Sequence, residues 1–319
     1  MKFRLKLIPA GTRIGFVRVR FFAFVISGCM ALASLGLFLV HGLNYGIDFS
    51  GGTLLEIGTD GPADIGKMRS ELNSLGLGDV SIQEFGSPND VLIRIERQDN
   101  ATDEQDRQVV AMVREALTKN VDPNIEFRRA EFVGPQVSDE LKRQGFMAVS
   151  FAILAVLIYI WFRFEWQFGV GAVSALVHDV IMTIGFFSAT GLEFNLPVIA
   201  AILTIVGYSL NDTVVVYDRI RENLRRYKRM PMRELLDVSI NETLSRTVVT
   251  ALTTLLALIA LAVLGGPVIR DFSLAMLFGV IVGTYSSIFI ASPILLLFKV
   301  RNGKEAVEAG KESKSGAGA

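Results

Sequence analysis

The sequence predicts an α-helical polytopic membrane protein: six transmembrane helices, with one small ferredoxin-like α+β domain between helices 1 and 2. Three observations predict it. Hydrophobic residues fill 51% of 319 positions and the mean hydropathy is +0.44, too apolar for an ordinary soluble domain. Six stretches, at about 21–40, 145–162, 168–190, 196–217, 246–264 and 272–298, can each cross roughly 30 Å of hydrocarbon at about 1.5 Å per residue. Only the connection between the first two is long and polar.

The flanking charges predict orientation, because Lys and Arg resist translocation. Lys2, Arg4, Lys6, Arg13, Arg18 and Arg20 precede span 1 without an acid. Arg219, Arg221, Arg225, Arg226, Lys228, Arg229 and Arg233 follow span 4, and Lys299, Arg301 and Lys304 follow span 6. Both termini are therefore expected in the cytoplasm, and residues 44–140, richer in acids than bases, are expected to be exported. The expected organisation is a basic N-terminus (1–20), helix 1 (21–43), the exported domain (44–140), helices 2–6 (141–298) with a cytoplasmic amphipathic loop at 218–245, and a flexible tail (299–319). Span 1 lacks a small-x-small cleavage site and reads as a retained signal anchor. Cys29, the single cysteine, excludes an intrachain disulfide.

Within the exported segment, Thr53–Gly58, Val80–Phe85, Val91–Glu96 and Ile125–Val133 read as strands. Val91, Ile93 and Ile95 alternate with Leu92, Arg94 and Glu96, and Gly86-Ser87-Pro88-Asn89-Asp90 supplies turn residues. Ala63–Leu75 suits a helix. Val109, Met112, Val113, Ala116 and Leu117 recur at helical spacing after the cap Thr102. The order βαββαβ is that of the ferredoxin-like split unit. Gly61-Pro62-Ala63-Asp64-Ile65-Gly66-Lys67 imitates a phosphate-binding loop, but Met68 replaces the required Ser or Thr, and Pro62 reads as a helix-start residue. His41 and His178 lie in different spans without the clustering a metal site needs.

Span 4 carries the most informative residue, Asp212, beside Asn211 in an otherwise apolar run. A carboxylate in hydrocarbon must be paired, hydrated or protonated. Tyr208, Ser209 and Asp212 share one side of the helix, and Asp212 lies roughly 22 Å along the span from Pro197. Arg246, Thr250 and Thr254 make a polar stripe on span 5, expected to point into the bundle and to bring Arg246 within reach of Asp212 as a switchable pair. Two plainer readings remain: Asp212 as a structural residue bonded to a neighbouring helix, and Arg246 as a topology anchor. His178-Asp179, mid-span, fits an interhelical hydrogen bond or a role in proton transfer equally well. Asp218 and Arg219 mark the expected solvated end of span 4.

On span 6, Ala275, Gly279, Gly283, Ser287 and Ala291 fall four apart, a small-residue stripe that lets another helix approach and that reports on packing rather than chemistry. Met232, Leu235, Leu236, Ile240 and Leu244 give an apolar face to a helix expected to lie on the inner membrane surface before the chain turns inward.

Several segments together carry a family resemblance: Gly46-Ile47-Asp48-Phe49-Ser50-Gly51-Gly52-Thr53, Val133-Gly134-Pro135, Phe162-Arg163-Phe164-Glu165-Trp166, His178-Asp179, Gly207-Tyr208-Ser209-Leu210-Asn211-Asp212, Asp218-Arg219-Ile220-Arg221-Glu222-Asn223 and Leu244-Ser245-Arg246-Thr247. In order and spacing, from about Arg18 to Val300, they resemble the SecF branch of the SecD/SecF protein-export family, within the resistance-nodulation-division superfamily. The resemblance implies a six-helix half-bundle completed by SecD, and work beside the SecYEG translocon on translocating polypeptides. YajC is an additional candidate partner, the lipid bilayer is the setting, and no nucleic acid is involved. It implies a multi-pass protein of the bacterial inner membrane that is not an enzyme, driven by the proton gradient with no cofactor and no metal. It matches Asp212 and Arg246 to positions that family members use in proton-coupled motion, with Thr250 a neighbour on the same helix face completing the candidate proton relay, and it gives Gly46, Asp48, Gly51 and Gly52 as the family motif; Asn211, His178 and Asp179 are secondary candidates from their own place in apolar spans. Two other classes stay open: half of a small-molecule or lipid exporter of the same superfamily, against which the small exported domain argues, and a non-conducting scaffold subunit.

Overall fold

The computed structural model describes residues 9, 12–78, 80–95, 103–298 and 300. A short 3-10 turn at Phe16–Val19 leads into α1 (Arg20–His41), followed by β1 (Asn44–Tyr45), α2 (Ile47–Ser50), β2 (Gly52–Gly58), α3 (Ile65–Ser74), β3 (Val80–Phe85) and β4 (Ser87–Ile95). Then come α4 (Asp103–Asn120), β5 (Glu126–Val133), α5 (Pro135–Arg163), α6 (Trp166–Thr190), β6 (Glu193–Phe194), α7 (Leu196–Arg226), α8 (Met232–Leu264) and α9 (Pro267–Ser286), which runs into a π-helical turn at Ser287–Ala291. Among the described residues, six helices are long and apolar enough to cross a membrane: Phe16–His41, Pro135–Arg163, Trp166–Thr190, Leu196–Arg226, Met232–Leu264 and Ile269–Ile294.

The sheet domain has the ferredoxin-like order β3-β4-β2-β5 with every pair antiparallel. Alternation puts Leu55, Ile57 and Ile93 on one face, where Met68 and Leu72 of α3 and Val113 and Leu117 of α4 cover them; all seven are fully buried. Three local expectations shift. The turn after β3 shrinks to Gly86, because β4 begins at Ser87 and Asp90 already pairs with Gly58. α3 starts at Ile65 rather than Ala63, since the Asp64 carboxylate accepts from the Lys67 backbone N–H at 2.9 Å and so caps the helix, leaving Pro62 outside it. α5 starts at Pro135, inside the segment assigned to the exported domain. The expected cap Thr102, Glu96, the basic residues Lys2, Arg4 and Lys6, Lys299, and the tail from 301 to 319 lie outside the described residues.

Two expectations about the opposite end of the bundle are corrected. α8 is one unbroken helix from Met232 to Leu264, so the chain makes no turn between the amphipathic segment and span 5. The apolar face of its first turns packs on protein: Leu235, Leu236 and Ile240 are buried with Phe16, Val17, Tyr217 and Ile220. The chain start is fastened there too, with Val17 N–H donating to Asp237 at 2.9 Å and Ile14 N–H to Asn241 at 3.0 Å. α7 likewise runs on past Asp218 and Arg219 to Arg226. Both Asp218 oxygens accept from Arg163 Nη2 at 2.9 Å, and Arg219 reaches Glu242 at 2.7 Å.

The stripe of small residues lies against α7. Ala275 and Ala291 are fully buried, a Cβ on Gly279 would meet Ile205 Cδ1 at 2.3 Å, and one on Gly283 would meet Ser209 Cβ at 3.0 Å. With no side chain in the way, the two backbones come close enough for short hydroxyl side chains to bridge them.

Candidate functional site: two carboxylates in the helical bundle

α7 reaches the bundle centre from a doubly capped start. The Asn195 side chain accepts from Val198 N–H at 3.3 Å, and Asp48 Oδ2 accepts from Leu196 N–H at 2.9 Å. Negative charge at a helix N-terminus is stabilising, so Asp48 ties the motif segment to the helix that carries Asp212. Gly51 and Gly52 sit at φ 73° and 112°, a region that favours glycine. They turn the chain from α2 into β2, where Gly52 pairs with Val133. Gly46 N–H donates to Phe194 O at 2.9 Å, and a Cβ there would lie 2.5 Å from Glu193 Oε1.

The same junction holds an ion pair, Arg94 to Glu193 at 3.0 Å, with each side chain 14% exposed. Arg94 also donates to Asn44 Oδ1 at 3.2 Å, and Asn44 donates to Gly191 O at 2.9 Å. Burial holds the Glu193 carboxyl above its ordinary range; Arg94 pulls it down and Asp48 pushes it up, but neither outweighs the lost solvation. The domain's strand β4, the segment after α1 and the α6–α7 connection therefore meet in one polar knot.

Asp212 is half-buried, and both of its oxygens are engaged. Thr247 Oγ1 of α8 donates to Oδ1 at 2.6 Å, and Ser287 Oγ donates to Oδ2. The expected contact with Arg246 is not made: no ion pair joins them among the described residues, and Arg246 acts on Asp212 only at longer range. Arg246 and Thr250 are exposed and Thr254 is half-buried, so the stripe turns to the open side of this chain rather than into its bundle. The physical reason is helical phase. Thr247, one residue and about 100° further round α8, is the one that faces α7. Asn211 is exposed.

A second carboxylate lies close by. Asp179 is fully buried; Ser209 Oγ and Ser286 Oγ donate to its Oδ2 at 2.6 and 2.8 Å, and His178 Nδ1 lies 3.0 Å from Oδ1. Ser209, placed beside Asp212 by helical spacing, thus serves Asp179 instead, while Tyr208 interacts with Thr254. The reading of span 6 as packing alone is corrected by Ser287, which packs and also donates. Sequence reasoning missed Thr247 and Ser286. The available signals were Thr247's place beside Arg246 in the quoted motif and the consecutive hydroxyls Ser286-Ser287 in an apolar helix.

Comparison with known proteins gives the chain's family and fold. Residues 113–301 match the family model described as protein export membrane protein SecD/SecF, C-terminal, and residues 36–63 match the SecD/SecF GG motif. Proteins named protein translocase subunit SecF are similar along nearly the whole chain. The one from Rickettsia rickettsii is 47% identical over 294 residues, covering 92% of this chain and 94% of its own. That from Cereibacter sphaeroides is 47% identical over 322 residues, covering 99% and 98%. The crystal structure of SecDF, a translocon-associated membrane protein from Thermus thermophilus, superposes with a TM-score of 0.81 at 38% identity, over 91% of this chain and 39% of that one. SecDF in a super-membrane-facing form gives 0.68 at 36% identity, over 95% and 41%.

Proposed function

The chain belongs to the SecD/SecF family of protein-export membrane proteins, and from that premise we propose that it couples proton passage at Asp212 to late steps of protein export. In this reading it works as the six-helix partner of SecD beside SecYEG in the bacterial inner membrane. Its termini are cytoplasmic, as the basic flanks favour, and its sheet domain stands outside.

The observation that carries the reading is how Asp212 is held. Its oxygens accept from two neutral hydroxyls on two different helices, Thr247 and Ser287. A carboxyl held this way gains or loses a proton without breaking an ion pair, and each change asks the hydroxyl on the protonated oxygen to turn. Arg246 and Thr250 stand on the face this chain leaves open. That is where a second half-bundle packs, and a relative movement there would bring the guanidinium toward the acid or take it away. One charge crossing 100 mV supplies about 2.3 kcal/mol, enough to bias two packings of comparable energy. Asp48 and the Arg94–Glu193 pair join the moving helix to the sheet domain.

The test is export into membrane vesicles containing the chain with SecD and SecYEG, with and without a proton gradient. Asp212→Asn is expected to abolish the gradient-dependent part while co-purification with SecD persists. Undiminished gradient-dependent export in that variant would leave only the scaffold reading.

A further inference from the structure

The proposed function uses Asp212 and leaves Asp179 without a role. Asp179 is the more deeply buried acid, with none of its surface exposed. As interhelical glue a carboxylate is a poor choice, because an amide bonds to hydroxyls without burying a charge. Three features of the surroundings go beyond glue.

First, the donors are adjacent. Ser286 serves Asp179 and Ser287, the next residue, serves Asp212. Each hydroxyl has one hydrogen and a second acceptor at hand, Gly283 O at 3.1 Å for Ser286 and Thr284 O at 3.0 Å for Ser287. Either can therefore release its carboxyl and stay bonded. Second, the α-helix opens into a π turn at this pair. Ser292 Oγ donates to Ser287 O at 2.9 Å, and the buried Tyr217 hydroxyl donates to Ala291 O at 3.0 Å. Such turns are frequent at functional positions. Third, Ser209 precedes Asp212 on α7 by three residues, so it puts Asp179 about 4.5 Å nearer the sheet-domain end.

We propose that Asp179 is a second proton-binding carboxyl of the same device, placed between the sheet-domain end and Asp212, and that the Ser286–Ser287 turn couples the two. This rests on the proton-coupled reading of Asp212. The step is simple: a proton adds to the Asp179 carboxylate to give the acid, Ser286 turns its hydrogen to Gly283 O, and loss of the proton reverses both. His178 on α6 is the adjoining titratable group. Tyr285 on α9, its ring 6.3 Å from the imidazole and its hydroxyl 3.0 Å from Ser27 of α1, lies beyond it. Asp212 on α7 is the other acid, and α1 brings the hydroxyls Ser27, to Tyr285, and Ser34, to Met182.

The experiment reconstitutes the full chain with SecD in liposomes and measures gradient-driven proton flux against pH for wild type, Asp179→Asn, Asp179→Glu and Asp212→Asn. Asp179→Asn is expected to cut flux at least ten-fold and to remove one inflection from the pH profile, and Asp179→Glu to restore flux with a displaced inflection. A folded Asp179→Asn protein with wild-type flux and profile overturns the proposal. If Asp179→Asn does not fold, the glutamate variant decides: a displaced inflection supports the proposal and a wild-type profile overturns it. Wild-type flux in Asp212→Asn would instead overturn the underlying reading, separately from Asp179.

Discussion

The sheet domain buries an apolar core, and the helical bundle adds a buried polar cluster to its own apolar ones. The domain closes over apolar residues at its centre, Leu55, Ile57, Ile93, Met68, Leu72, Val113 and Leu117. The bundle, in the more apolar half of the sequence, buries Asp179, Ser209, Ser286 and Ser287 where its helices meet. A close-packed aliphatic core has one good arrangement, and any other opens a void. A cluster of hydroxyls around an acid has several, because each hydroxyl can turn to a second acceptor. In the proposed function this difference is a division of labour, with the domain holding one packing and the bundle changing state.

The largest expected effect tests the rigid half. Leu55→Ala leaves a void under the sheet and should destabilise the domain by about 2–5 kcal/mol, read by denaturant melting, while leaving proton flux per folded molecule unchanged. A change in flux of the folded fraction would blur the division. Next comes the close approach of α7 and α9. Gly279→Ala puts a methyl against Ile205 and should cost about 1–3 kcal/mol. Gly36→Ala on α1, where a Cβ meets nothing within 4 Å, should be neutral or slightly stabilising in the same denaturant melt. Equal losses at both sites would show that the α7–α9 contact has no special tightness.

A smaller effect is expected from the hydroxyl that holds Asp212. Thr247→Val keeps the shape and removes the donor; at about 1.5 kcal/mol for one bond to a charged group, gradient-driven export should fall roughly ten-fold. Thr250→Val, on the open face, should change this chain's own stability little.

The smallest effect concerns the knot between the two regions. Burial raises the Glu193 carboxyl above its ordinary 4.5, so the folded junction binds more protons than the unfolded chain from that value up to the raised one. Its stability is therefore full at acid pH and falls as pH rises through that window. Exchange protection of the Gly46 amide, bonded to Phe194 O, should follow this fall, and Glu193→Gln should flatten it. Protection that rises with pH would mean that Arg94 outweighs burial.

The sequence made the two regions legible to different depths. Six spans and the βαββαβ order follow from composition and from periods of two and 3.6 residues, which are local properties, and the sheet closes in the expected order. The site was legible only in part. Asp212 stands out as a charge among apolar residues, but which polar residue of α8 meets it depends on the rotation of that helix. Arg246, Thr247 and Thr250 are all candidates until α7 is in place. Ser287 was visible as a small residue and not as a donor, since serine serves both ends. The cluster around Asp179 joins residues 179, 209 and 286 through the packing of three helices, a meeting that no spacing along one helix encodes.

The central claim is that Asp212 changes its protonation as the gradient is used. Infrared difference spectroscopy of the complex with SecD in oriented membranes, recorded with the gradient on and off, tests it most directly. A carboxylic acid C=O band that appears and disappears with the gradient, and is missing in Asp212→Asn, is the expected result. The same band surviving in Asp212→Asn, or its absence from the wild type, would contradict the account.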